Sequence, residues 1–236
     1  MNSHKLIMEG WRKFINESRA SVTEIDGQQI CLYYHSKHPP GFSIVLYIVG
    51  PQQDSYAEHK VIAGIDCVPT DDPCIPKTLQ VATSYRHSDY TSKGLGPLVY
   101  DLAFFIAQSI GYGLTSDRDV GSKPEARNRW SKIEASPSYE KQRTKAGNEE
   151  FDYYNDTPDD PDDDCTKDLF SDSNATDHSF VKKDTGNTHD VLMKLEANHM
   201  DYLDSIPKPR AKKQFLMDLR MDSANLFVDE YDSAED

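Results

Sequence analysis

The chain has 236 residues, 37% of them hydrophobic, with 40 Asp and Glu against 26 Lys and Arg for a formal net charge of -14. That length can bury one proper core with appendages, while the acidic balance opposes binding to nucleic-acid backbones and anionic membranes, which both need a basic footprint. No apolar run approaches a membrane span and the start of the chain lacks the apolar stretch of a secretory signal, so a cytoplasmic protein is expected.

His4 to Arg19 has the spacing of an amphipathic helix, with Ser3 as its N-cap and Leu6, Ile7, Trp11, Phe14 and Ile15 as the apolar stripe. Packing on the domain is its ordinary role. The tripeptides Ile7-Met8-Glu9 and Ile15-Asn16-Glu17 also make it resemble the head-targeting peptides of large tailed phages, which are cleaved after a glutamate two positions beyond an aliphatic residue.

From Gln29 the period is that of strands. Ile30 to His35 and Ser43 to Val49 are rich in β-branched and aromatic residues around the turn His38-Pro39-Pro40-Gly41, which predicts a hairpin. Lys60 to Cys67 is the third strand, Pro69 to Pro76 a loop, and Leu79 to Tyr85 the fourth strand. Then comes Tyr90-Thr91-Ser92-Lys93-Gly94-Leu95-Gly96-Pro97, where two glycines allow a tight turn and Pro97 fits the first turn of a helix. That helix carries Leu98, Val99, Leu102, Ala103, Phe105, Ile106 and Ile110 at helical spacing until Gly111. A strand, a glycine turn, a buried helix and a fifth strand at Gly113 to Asp117 make a crossover unit, and such a turn offers free amides to an anion.

Ser122-Lys123-Pro124-Glu125 is a capping box opening a helix with Ala126, Trp130 and Ile133. Beyond Ser136 the order weakens, and the acidic, proline-containing run Glu149 to Cys165 reads as a solvated linker, since it lacks the glycine bend and ligand spacing of a calcium loop. Asp190 to Leu203 and Ala211 to Leu219 show helical spacing, and Asp229 to Asp236 is an acidic tail. The expected organisation is an N-terminal helix over 1–20, an α+β domain over 21–147, a linker over 148–186, and helices with a tail over 187–236. Cys31, Cys67, Cys74 and Cys165 lack zinc-site spacing and read as reduced thiols. His35 and His38 straddle a bend, so no metal site is expected there.

The order of elements from Gln29 to Ile133, with Asp89 to Gly96 between the fourth strand and the long helix, resembles the GNAT superfamily of N-acetyltransferases, and within it GNAT-like proteins of tailed phages. The family's acyl-CoA motif is a basic or glutamine residue, two variable residues, Gly, one variable residue, and Gly or Ala. Gly94 and Gly96 match the last two anchors, while Thr91 stands in place of the basic residue. The resemblance implies a mixed, mostly antiparallel sheet flanked by helices. It further implies acetyl-CoA as cosubstrate, with Thr91, Ser92, Lys93, Gly94, Leu95 and Gly96 around its pyrophosphate and its pantetheine arm between the fourth and fifth strands. A second family landmark, an Ala followed four positions later by a Tyr acid, appears here as Ala126 and Trp130. Indole cannot donate a catalytic proton, so the thiolate is protonated by another group or by water, or Trp130 packs on the coenzyme, or transfer has been lost.

Acetyl transfer needs a base, an oxyanion donor and an acid. The base candidates are Asp117, at the end of the fifth strand, then Glu58 and His59; Tyr85 and Tyr90 are candidates for the acid. The chain lacks a Gly-x-Ser-x-Gly elbow, a Walker lysine motif and a His-Glu-x-x-His helix. The leading reading is thus an acetyltransferase acting on a small-molecule or protein amine in the host cytoplasm. The alternative is a non-catalytic phage protein that keeps the scaffold for binding and is packaged with head proteins in the virion.

Overall fold

The computed structural model describes residues 23–36, 39–50, 58–70, 75, 77–117, 124–142 and 179–232. Among them, eight strands form one sheet: β1 (Glu24–Ile25), β2 (Gln28–Ser36), β3 (Phe42–Val49), β4 (His59–Pro69), β5 (Thr78–Arg86), β6 (Gly113–Ser116), β7 (Tyr139–Gln142) and β8 (Ser179–Lys182). The helices are α1 (Leu95–Ser109), α2 (Pro124–Ala135), α3 (Thr188–Ser205) and α4 (Pro209–Asp232). The spatial order is β1-β2-β3-β4-β5-β6-β8-β7, and every neighbouring pair is antiparallel except β5 with β6. This is the expected α+β class with a mixed, mostly antiparallel sheet. No helix of the described residues is long and apolar enough to cross a membrane.

Alternation along the central strands explains why both faces of the sheet are covered. Ile30 and Leu32 of β2 and Ile44, Leu46 and Ile48 of β3 meet α1, Trp130 and Ile133 of α2 and the first half of α3 in one core. Their neighbours Cys31, Val45 and Tyr47 point the other way, into a second core closed by Leu203, Ile206, Phe215 and Leu219. α3 therefore passes from one face to the other around the sheet edge, where its buried Asn198 donates from Nδ2 to the Ile30 carbonyl at 2.7 Å. An edge strand with an unpaired carbonyl row invites aggregation, and this helix covers it.

β5, α1 and β6 form the expected crossover. The parallel register runs from Thr78 opposite Gly113 to Val81 opposite Ser116; there β6 stops while β5 continues to Arg86. Against β4, Asp66 pairs with Thr83 but Cys67 pairs with Val81, so Ala82 is an extra residue that bulges from β5 just past its last pairing with β6. Gly113 is needed by close packing: a Cβ there would collide with Ser179 Oγ and lie 3.1 Å from the Phe180 carbonyl.

Four expectations are corrected. The weakening of order expected beyond Ser136 does not begin there, because β7 follows α2, and β8 lies inside the span 148–186 expected as linker, with Phe180 fully buried opposite Leu114. Four-residue strands are too short to show a period and are stabilised by their neighbours. β1 was also missed, although Asp26-Gly27, with φ of 52° and 78°, is the dipeptide that closes a two-residue hairpin. α4 continues to Asp232, through the start of the expected acidic tail. Trp130, read as touching coenzyme, is a core residue, as described below. The helix expected at His4 to Arg19, the capping pair Ser122 and Lys123, the acidic run Glu149 to Cys165, and His38, Cys74 and Cys165 lie outside the described residues. Cys31 and Cys67 are free and buried.

Candidate functional site

β5 leads into the glycine turn through a short 3-10 turn, Ser88–Tyr90, in which the Asp89 amide donates to His87 Nδ1. Thr91 Oγ1 then donates to the Ser88 carbonyl at 2.7 Å, and the Lys93 amide to that of Tyr90 at 3.1 Å. These bonds compress the chain so that Gly94 must take φ of 76°, a left-handed conformation that glycine adopts without strain. Gly94 is the N-cap of α1 and its side makes no capping bond. Pro97 removes one of the orphan donors of the first turn, which leaves the amides of Leu95 and Gly96 without an intrahelical acceptor.

A cation stands over this turn, though residue 91 is not basic. Arg86, the last residue of β5, donates from Nη1 to the Thr91 carbonyl at 3.3 Å, and the same nitrogen would lie 3.9 Å from a Cβ on Gly96. The sequence reading missed it, although an arginine at a strand end a few residues before a glycine turn is a usable signal. Lys93, by contrast, is already matched, its Nζ 2.7 Å from Asp26 Oδ1 of the β1–β2 turn. Lys60 is matched by Asp89 at 2.8 Å; that hydrogen bond raises the lysine pKa and lowers that of the aspartate.

The other candidates separate into two groups. Tyr90, half-buried between His87 and the Lys60 ammonium, is part of the turn. Asp117, 8% exposed, follows the last β6 residue paired with β5. Tyr85 lies opposite Gly64 and, by alternation, on the face away from Ser84, which receives the Tyr100 hydroxyl of α1. Ser92, Lys93 and Gly94 line a cleft of about 730 Å³ that runs along α1.

Trp130 joins neither group. It is 3% exposed, with its ring centroid 5.8 Å from Tyr100, 6.4 Å from Phe104 and 6.0 Å from Phe180, so it fills the core between α1, α2 and β8. His59 also turns away from the glycine turn: its Nε2 is 2.8 Å from Asp222 of α4 and its ring is edge-on to Phe215. Glu58 is exposed and its carbonyl accepts the Gly50 amide. Among the described residues, no group of three or more His, Cys, Asp or Glu could hold a metal ion.

The arrangement is therefore an uncapped helix N-terminus with an arginine over it, which can grip an anion, on a crossover whose second strand is followed by a buried carboxylate that can accept a proton. Compared with protein-family models, with curated proteins and with solved structures, the chain matches none of them.

Proposed function

We propose that the chain is a GNAT-like acyltransferase that moves an acetyl group from acetyl-CoA to an amine. One observation carries the reading: the β5–α1–β6 crossover has an α1 N-terminus that no side chain caps, with Arg86 at the end of β5 over it, while β5 and β6 pair only as far as Val81 and Ser116, beside a bulge at Ala82. Ligands of open α/β sheets bind where neighbouring strands diverge, with phosphates on the helix N-terminus. In this reading the Leu95 and Gly96 amides and the Arg86 guanidinium hold the pyrophosphate. Asp117 takes a proton from the amine as its nitrogen attacks the thioester carbonyl and the C–S bond breaks. With Trp130 in the core, the proton for the departing thiolate falls to the Tyr85 or Tyr90 hydroxyl or to water. The charge of -14 favours a cationic acceptor, whether a small amine or a protein lysine.

Calorimetric titration with acetyl-CoA tests the reading. Saturable heat is expected, and Gly94→Trp should abolish it by placing a bulky side chain beside the free amides. A folded protein that shows no saturable heat would sink the proposal.

A second reading, a phage protein that binds through this scaffold without turnover and is packaged in the head, is favoured by the burial of Trp130, which leaves the second landmark without a proton donor. Its signature is saturable acetyl-CoA binding with no release of free thiol on incubation with amines. Mass spectrometry of phage particles should then find a chain starting at Gly10 or Ser18.

A further inference from the structure

The cleft along α1 has a far end that the acetyl-transfer reading does not use. Its volume of about 730 Å³ is that of a small-molecule site. α1 opens on it through Gly94 and α3 through Asn187 and Thr188, and neither N-cap makes a side-chain capping bond. Two long helices thus direct their positive ends at one space. Asp190, the acidic residue in the first turn of α3, is 86% exposed beside His189, so solvent screens its charge and it offsets that end only in part.

Arg129 of α2 and Lys182 of β8 stand between the two helix ends. Lys182 is fixed in place, because Gln108 of α1 accepts its amide at 3.1 Å and donates to its carbonyl at 3.0 Å. Its side chain is 5% exposed, and Nζ lies 2.8 Å from Asp101 Oδ1, an ion-pair separation whose angles are poor for a hydrogen bond. Arg129 Nη2 is 4.0 Å from the same oxygen, and its Nε is buried with no acceptor among the described residues. Buried donors of this kind are nearly always hydrogen-bonded in proteins. The charges point the same way. Lys93 is matched by Asp26, and Glu24 is exposed at the rim. The cleft lining thus holds three acids and three bases, with Arg129 and Lys182 sharing the carboxylate of Asp101, and each helix end adds about half a positive charge to this balance.

We propose that the α3 end of this cleft binds the phosphate group of a small organic phosphate. A phosphate has enough acceptor oxygens to meet a guanidinium, an ammonium and helix amides together, whereas a carboxylate has two oxygens to share among them. The inference stands on the cleft and is independent of acetyl transfer.

Calorimetry with inorganic pyrophosphate as probe tests it on the wild type, Arg129→Gln, Gly94→Trp and Lys213→Gln, the last an exposed α4 lysine as control. Saturable heat is expected in the wild type and the control, with affinity at least about tenfold weaker in Arg129→Gln, the scale of one lost charge-assisted bond. Arg129 is 24% exposed, and circular dichroism should confirm that the variant folds; if it does not, Arg129→Lys, which keeps the charge and loses the fork, should weaken binding in its place. No saturable heat in the wild type, or equal affinity in the arginine variant, overturns the proposal. Heat lost in Gly94→Trp but retained in Arg129→Gln would assign the anion to the α1 turn and also overturn it. Pyrophosphate binding that depends on Arg129 without any acetyl-CoA binding would leave the phosphate site standing and remove the acyltransferase reading.

Discussion

Replacing Trp130 separates a core residue from a coenzyme contact. The side chain is 3% exposed and meets three rings, two from successive turns in the middle of α1 and one from β8, so Trp130→Ala leaves a cavity bounded by elements that cannot all collapse into it. Deletions of buried aromatic side chains cost about 3 to 5 kcal/mol. For a chain of this size each kcal/mol lowers the melting temperature by about 2 to 4 °C, so a fall of about 6 to 20 °C is expected. The assay is calorimetric melting of wild type and Trp130→Ala, with acetyl-CoA titrated at a temperature where both are folded; affinity should be unchanged in the folded variant. Because the chain has two tryptophans, Trp11→Phe also isolates the Trp130 emission, which should be blue-shifted and insensitive to acetyl-CoA. An unchanged melting temperature together with a large loss of affinity would refute the reasoning, since it would mean that the indole faces the ligand.

Asn198→Ala removes the 2.7 Å bond that covers the Ile30 carbonyl and should cost about 1 to 3 kcal/mol, with faster hydrogen exchange in β2; an unchanged urea midpoint would show that α3 holds the edge without it. His199 Nδ1 and the Tyr47 hydroxyl share a hydrogen bond at 2.6 Å, and burial, then the Lys212 charge, lower the histidine pKa below the ordinary 6.5. The unfolded chain therefore binds this proton first: the stability is full above about pH 6.5 and is lost as the pH falls from there through the lowered folded value. Urea midpoints between about pH 7.5 and pH 5 should fall more steeply in the wild type than in His199→Gln, and parallel curves would contradict the assignment. Burial pushes the Cys31 thiol up to about 11 and raises that of the fully buried Cys67 as well, so both should resist iodoacetamide at neutral pH until the protein is unfolded. Rapid labelling of either in the native protein would show that its face opens.

The strands β2 to β5 and the helix α1 were legible in the chain itself because each buries one or both faces over several residues, and residue type repeats at the period of the element; the four-residue β6 was legible only through its place after α1 in the crossover. The glycine turn was legible for a local reason too: the left-handed conformation at Gly94 is one that side chains avoid. Tertiary structure decided the rest, because it rests on residues far apart in sequence. Trp130 has the same spacing from Ala126 whether it faces a ligand or the core; the rings of Phe104 and Phe180, from another helix and a strand beyond the acidic run, put it inside. β7 and β8 exist because they pair with each other and with β6, and four residues carry too little pattern to announce that. Nothing local links Ile30 to Asn198, or Asp101 to Lys182, and it is these long-range contacts that carry α3 around the sheet edge and bring two helix N-termini onto one charged cleft.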